Sequence, residues 1–439
     1  MHREEKMKLG MISLGCAKNL IDTELFLGVA KKYQIEITNE LNQADILVVN
    51  TCGFIESAKK EAIDTILDLV EQKRNRTIIA MGCLVERYLE DLKQEIPEVD
   101  IYFPIQDYDH IDEVFQKILH TEHSYVMNYT QRVLTTLPHT AYLRISEGCN
   151  NRCSYCAIPL IRGHFKSRNF DSLLKEARFL ADQGVKEITL IGQDTTRYGT
   201  DLTEGKTLAD LLHELSKIAS FQMIRVLYLY PDEITEDLIA EIKINPKIAK
   251  YFDIPIQHAS DHMLSAMNRR GNQEFLTHLI QSIRNQIPHA VIRTTLIVGF
   301  PGETKEDFHI LYDFVASQKF NRLGVFTYSD EEDTPGFEMY PKIDLSTMNK
   351  RKNEIMELQN GISLQYHQSL IHQTFDCIID SYSDRYQRYT ARSYHYAPDD
   401  VDGAIYIFST FVEGYIGTIR KVKIVEATAY DLIGEWSTK

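Results

Sequence analysis

Three features of the amino-acid sequence predict a multidomain α/β protein. Short apolar runs alternate with helical patterns near the N-terminus, and a longer series of six strand–helix pairs fills the middle. The last stretch changes to β-type runs broken by Asp, Pro and Gly. The expected architecture is an N-terminal parallel-sheet α/β domain, a central partial (β/α)6 barrel and a small all-β, OB-like barrel. The length of 439 residues exceeds what one hydrophobic core usually organises, which also favours several domains.

The first domain is expected over residues 8–122. KLGMISLG, ADILVVN and TIIAMG have the form of strands buried on both faces. Helical patterns lie between and after them at Asn19–Lys32, Ser57–Arg74 and Arg87–Ile96. VDIYFPI followed by a helix over Tyr108–His120 closes the unit, and Glu122–Thr136 reads as a linker of weak periodicity. The second domain is expected over 138–370, with strands AYLRIS, EITLIG, IRVLYLY, YFDIPI, VIRTTLIVG and RLGVFTYS. Its helices are expected at Ser172–Gln183, Leu208–Ala219, Glu236–Ile244, His262–Arg269, Glu274–Ile287 and Lys305–Gln318, with a long one at Ser346–Gln368. An open doubly wound sheet is the other way to arrange these elements. FDCIID, RYTARSY, AIYIFS, YIGTIRKVKIVEAT and YDLIGEW supply the β domain, 372–439.

Composition narrows the function. The 48 basic and 63 acidic residues give a net charge of −15, which argues against a generic nucleic-acid coat. No apolar run approaches the roughly 18 residues of a membrane span, and MHREEKMK leads into a strand pattern with no apolar signal core. The expectation is a soluble, cytoplasmic protein. Its seven cysteines are then metal ligands, nucleophiles or core filler rather than disulfides.

GCNNRCSYC spaces Cys149, Cys153 and Cys156 as C-x3-C-x2-C in a polar loop after the first strand of the central domain. A structural zinc or electron-transfer site wants four protein ligands, and His164 is the nearest histidine. Three thiolates on a 4Fe–4S cluster leave one iron open to a small chelating molecule. A zinc loop with a distant fourth ligand is the competing assignment. Cys16, Cys52 and Cys83 each directly follow an apolar run, in SLGC, VVNTC and AMGC. In a parallel sheet all C-terminal strand ends lie on one rim, so this second triplet also converges on one place. The bland alternative is three buried core cysteines. Cys377, in the β domain, is expected to be a core residue.

The compact triplet after the first strand of a partial barrel resembles the radical S-adenosylmethionine superfamily. That resemblance implies that the open iron binds S-adenosylmethionine and that an electron releases a 5′-deoxyadenosyl radical from it. Tyr155 then sits near the adenine, and LIVGFPGE, with Gly299 and Glu303, resembles the adenosine-contacting strand end; a plain tight turn would account for its glycines equally. SLGCAKNLIDTE, NTCGFIESAKKEA and GCLVERY resemble the N-terminal domain of the methylthiotransferases. The implied cofactors are two 4Fe–4S clusters, the second held by Cys16, Cys52 and Cys83, together with S-adenosylmethionine. The implied reaction transfers a methyl group to cluster-held sulfur, then inserts the methylthio group at a carbon radical.

Methylthiotransferases act on a tRNA adenosine or on an aspartate of small-subunit ribosomal protein twelve. RISEGCNNRCSYCAIPLIRGHFKSR, DIPIQHAS and TYSDEEDTPG resemble the protein-modifying branch. The β domain resembles a TRAM module, with APDDVDG at its characteristic turn, although SYHYAPDD departs from the usual small-residue approach. From His372 onward it carries 7 Lys and Arg against 10 Asp and Glu, suiting a basic protein partner better than tRNA. The expected partners are that ribosomal protein and an external electron donor, with no membrane. A tRNA-adenosine methylthiotransferase and a non-catalytic iron–sulfur protein remain the alternatives. Arg162, Arg168, His164 and His258 are candidates to touch cofactor or substrate, and Gln193 with Asp194 and Gln257 with His258 stand at strand ends. Ordinary rim pairing explains these residues as well. The EED run, Glu331–Asp333, reads by default as a solvated loop, with an electrostatic docking patch as the other option.

Overall fold

The computed structural model describes residues 6–398 and 402–437. The central residues of APDDVDG, 399–401, lie outside them. The first unit comprises β1 (Lys8–Ser13), α1 (Ala17–Lys32), β2 (Glu36–Ile37), β3 (Ile46–Thr51), α2 (Glu56–Glu71), β4 (Thr77–Gly82), α3 (Cys83–Arg87), α4 (Leu89–Glu95), β5 (Ile101–Phe103) and α5 (Ile111–Leu119). Its five strands are parallel in the order β2-β1-β3-β4-β5. The order reverses direction between β1 and β3, which opens a crevice at their C-terminal ends. The helix expected over Arg87–Ile96 is α4; a short helix that was not expected, α3, precedes it, and Tyr88 at φ −129°, ψ 34° breaks the backbone between the two.

The central unit begins with β6 (Thr140–Arg144), followed by the two-residue pair β7 (Ser146–Glu147) and β8 (Lys166–Ser167) flanking α6 (Ile158–Arg162). Then follow α7 (Phe170–Asp182), β9 (Glu187–Ile191), α8 (Leu208–Ser216), β10 (Met223–Val226), α9 (Glu236–Ile244), β11 (Tyr251–Asp253), α10 (Asp261–Ala266), α11 (Gln273–Gln286), β12 (Val291–Val298), α12 (Lys305–Gln318) and β13 (Arg322–Thr327). β6, β9 and β10 form one parallel sheet and β11, β12 and β13 another. The Leu229 amide donates to Asp253 at 2.9 Å and an Ile224–Ile248 bridge links the two, so the six strands follow one another in sequence order as an arc. Sequential order without reversal excludes the doubly wound alternative and matches the partial barrel. A continuous core of Leu143, Ile188, Leu190, Ile224, Phe252, Ile292, Leu296 and Phe320 fills it.

α13 (Leu345–Ser369) buries Ile355 and Ile362 on that core and leads into β14 (Thr374–Ser383), β15 (Arg388–Arg392), β16 (Ile405–Phe408), β17 (Ile419–Ala427) and β18 (Leu432–Trp436). These close as β14-β15-β16-β18-β17. Cys377 is fully buried in this barrel's core beside Ile379 and Tyr389. No helix among the described residues is long and apolar enough to cross a membrane.

The segment read as a linker is a clamp. Arg132 is 3% exposed, and its guanidinium meets Glu24 of α1 at 2.9 Å and Glu176 of α7 at 3.2 Å. Sequence periodicity misses this, because one buried arginine with two carboxylates holds an irregular segment without any regular pattern.

His367 of α13 is buried where barrel, helix and β domain meet. Its Nε2 accepts from Arg322 at 2.7 Å, and its Nδ1–H donates to the Thr428 carbonyl at 2.8 Å. Burial, helped by the Arg322 charge, pulls its pKa down to about 4. The unfolded chain takes up this proton near pH 6.5 and the folded chain only near pH 4. Stability therefore falls as pH drops through that window, by at most about 3 kcal/mol. Burial depresses His395 in the same direction. Thermal unfolding of His367→Gln is expected to show a shallower loss of Tm between pH 6.5 and pH 4.5 than the parent.

Candidate active site between two cysteine triplets

The three dispersed cysteines come together at the crevice of the first sheet. Each has a glycine neighbour, and two of these glycines permit the approach. A Cβ on Gly15, at φ +87°, would lie 2.9 Å from the Cys52 Cβ. A Cβ on Gly53 would lie 2.7 Å from the Leu84 backbone, just past Cys83. Asn19, in the first turn of α1, staples the three loops. Its Nδ2 donates to the carbonyls of Leu14 and Thr51 at 3.1 and 3.0 Å, and its Oδ1 lies 3.3 Å from the Cys83 Sγ.

Cys149, Cys153 and Cys156 lie in the loop that β6 and β7 deliver to the C-terminal rim of the barrel. Other rim loops pin it. Asp194, past β9, accepts from the Asn151 side chain at 2.7 Å; Met267 accepts from the Ser154 amide at 3.0 Å; the Gly336 amide donates to Ser154 at 2.7 Å. Arg269 comes within 3.7 Å of the Cys153 Sγ. His164 is exposed and pairs with Asn150 at 3.2 Å.

The two rims face one another. Cys83 packs in one buried cluster with Ala157, the residue after Cys156, and with Ile161. Arg162 crosses the seam, with Nη2 at 2.7 Å from Asn19 Oδ1 and 3.4 Å from Cys83 Sγ, and Nη1 at 2.8 Å from Asp22. Its guanidinium is thus occupied by docking contacts. Arg168 lies away from the thiols, over the Tyr129 ring at 3.4 Å and bonded to Glu176.

Burial raises the pKa of Cys52, to about 11, and those of Cys83, Cys149 and Cys156 as well. Left alone these thiols keep their protons, and a bound metal would displace them. Among the described residues no three His, Cys, Asp or Glu side chains converge tightly enough for a single metal ion. Two groups of three soft thiols, spread around a larger volume, fit multi-iron clusters better than zinc.

Polar atoms without partners occur at the same rim. Gln193 Oε1, Gln257 Oε1 and His258 Nε2 are buried and have no hydrogen-bond partner among the described residues. His258 is fully buried, and its Nδ1 accepts from the amides of Ala259 and Ser260 at 3.0 Å each. That leaves Nε2 as the protonated nitrogen, 4.0 Å from Glu303. Glu303 itself accepts from the Gly299 amide and pairs with Arg351 at 3.2 Å, so it shapes the GFPGE turn. Tyr155 packs against the buried cluster of Met263, Met267, Phe300 and Tyr328, on which Met339 and Met348 also pack. Unpartnered polar atoms near an apolar, sulfur-rich wall suit a cofactor carrying both an aromatic base and polar groups.

The EED run is not a solvated loop throughout. Glu331 is 1% exposed and bonds Arg87 of α3 at 2.9 Å and Lys59 of α2 at 3.2 Å. Its charge is spent inside the molecule, joining β13's trailing loop to the first domain. Sequence reading also passed over Lys18, Asn19 and Asp22. Their signal was a run of polar residues on α1 that are buried together with its apolar ones. Glu331→Gln removes the buried counter-charge of the Arg87 guanidinium, while half-buried Lys59 keeps Glu56 at 2.8 Å, and the expected loss is on the order of 3 kcal/mol in denaturant unfolding. Exposed Glu332→Gln should change stability by less than about 0.5 kcal/mol.

The family models agree with this geometry. Residues 8–104 match the uncharacterized protein family UPF0004, residues 143–315 the radical SAM superfamily and residues 371–436 the TRAM domain. The chain is 46% identical to the ribosomal protein uS12 methylthiotransferase RimO of Clostridium botulinum, covering 98% of each chain. It is 45% identical to the protein of that name from Alkaliphilus oremlandii, covering 99% of this chain and 100% of the other. Among solved structures, the radical S-adenosylmethionine methyltransferase TsrM of Kitasatospora setae shares the fold at TM-score 0.56 and 12% identity, over 75% of this chain and 77% of that one. With such identity along nearly its full length, the chain belongs to the RimO-type methylthiotransferases of the radical SAM superfamily.

Proposed function

We propose that this enzyme methylthiolates the β-carbon of an aspartate in ribosomal protein uS12, with two S-adenosylmethionine-dependent steps and an external one-electron donor. The observation that carries the reading is two triplets of thiols opening onto one seam, with Arg162 bonded across it. Cys149, Cys153 and Cys156 would hold one 4Fe–4S cluster, and Cys16, Cys52 and Cys83 the other. When bound, the clusters and S-adenosylmethionine supply the methyl group, the sulfur and the hydrogen-abstracting radical.

The chain's own residues bind, orient and exclude water. Gln193, Gln257 and His258 offer unpartnered polar atoms to the cofactor, and Tyr155 offers an aromatic face. Gly299 and Glu303 shape the turn beside it. Arg162, with Asn19 and Asp22, positions the second triplet against the first. The acidic β domain favours a basic ribosomal protein over tRNA as the macromolecule that docks. A ribosomal-protein substrate also supports a cytoplasmic location.

Two experiments test this reading. Reconstituted protein, reductant and S-adenosylmethionine are incubated with uS12 or with tRNA, and mass spectrometry looks for an added methylthio group. Addition to uS12 is expected, and modification of tRNA alone would reject the substrate. Iron analysis is expected to give about eight irons per chain, falling to about four when Cys16, Cys52 and Cys83 all become Ala. Undiminished iron would remove the second cluster.

A further inference from the structure

Lys18 is an unbalanced buried charge in the seam between the triplets. It stands two residues beyond Cys16 on α1 and is only 8% exposed. Its ammonium reaches across to the barrel rim, 3.4 Å from the centre of the Tyr228 ring. The carboxylates around it are engaged elsewhere. Asp22 bonds Arg144 at 2.6 Å and Arg162 at 2.8 Å, and Glu147 bonds Arg144 at 2.9 Å and Gln193 at 2.7 Å. No carboxylate among the described residues forms an ion pair with Lys18 within 4.0 Å. An aromatic face offsets only part of the cost of burying an ammonium, so the site is built for an anion.

Its floor is equally specific. β10 ends at Val226, and two residues on Tyr228 adopts a left-handed φ of 63°. The Tyr228 amide donates to Asp253 Oδ2 at 2.9 Å, and its carbonyl accepts from the Thr195 amide at 3.1 Å. Backbone held in that region by its surroundings is typical of a functional position. The bend turns the Tyr228 ring under the Lys18 ammonium. That ammonium therefore lies over the C-terminal ends of β9 and β10, between the loop of Cys16 and the rim that carries Cys149.

We propose that Lys18 receives the side-chain carboxylate of the substrate aspartate and so selects an acidic residue over its amide or a nucleobase. This rests on the uS12 reading above. Tyr228 holds the ammonium in place, and the carbon next to the bound carboxylate is presented to the space between the two triplets. The α-carboxylate of S-adenosylmethionine shares this chemistry, and the test separates the two sources.

Full-length wild type, Lys18→Met and Lys18→Arg are reconstituted. Each is assayed on uS12 peptides carrying Asp or Asn at the modified position, with KM, kcat and iron content measured. Lys18→Met is expected to keep its iron, to raise KM for the Asp peptide about 10- to 100-fold and to lose the preference for Asp over Asn; Lys18→Arg is expected to recover part of both. A purely structural role would depress both peptides in proportion, or lose iron in both variants, and either result overturns the assignment. A rise in KM for S-adenosylmethionine with Asp preference intact moves Lys18 to the cofactor and also overturns it. Wild type that modifies neither peptide nor intact uS12 rejects the uS12 reading itself. Wild type that modifies the Asp peptide, beside Lys18→Met with unchanged discrimination, rejects only the role of Lys18.

Discussion

Asp22 is fully buried and bonded to two arginines of the neighbouring domain, and this one carboxylate joins the N-terminal sheet to the central barrel. Arg144 sits on β6 and Arg162 at the end of α6, on either side of the radical-type cysteine loop. Arg162 continues to Asn19 and the Cys83 Sγ, so one guanidinium fixes the height of the second triplet over the first. Apolar packing alone would leave the two rims free to slide. Buried charged hydrogen bonds are directional, and losing one partner costs several kcal/mol. They add little net stability while defining one arrangement.

Two further charge clusters repeat the device away from the cysteines. Glu24, Arg132 and Glu176 bind the segment after α5 to α1 and α7, and Glu331 binds the loop after β13 to Arg87 and Lys59. The first domain is thus held to the open barrel through α7 and through the loop after β13. Three rim loops of the barrel also do a share of the positioning. Asp194 after β9, Met267 after α10 and Gly336 after β13 all bond the Cys149–Cys156 loop. A parallel barrel makes this possible because every strand ends on the same face.

Much of this was legible in the sequence because it depends on local pattern. Apolar runs of strand length, each followed by cysteine, announced both the parallel sheet and the convergence of Cys16, Cys52 and Cys83. Cys377, in the β domain and far in sequence from both triplets, announced core. What failed were charges. Glu331 looks solvated among Glu332 and Asp333, yet it is buried while they are exposed. Arg132 lies in a segment without periodicity and is buried all the same. Arg162 follows the radical-type triplet and invites a catalytic role, but its donors are taken by Asp22, Asn19 and Cys83.

By itself the sequence determined the strand–helix alternation, the two sets of three thiols and the family, since hydrophobic period and ligand spacing are carried along the chain. Only the tertiary structure decided that the two rims face each other, that Asp22 and Glu331 are docking groups, and that no carboxylate among the described residues pairs with Lys18. The reason is physical. Periodicity reports how a segment meets its own domain, whereas the state of a charge depends on which opposite charges, many residues away, come within about 4 Å of it.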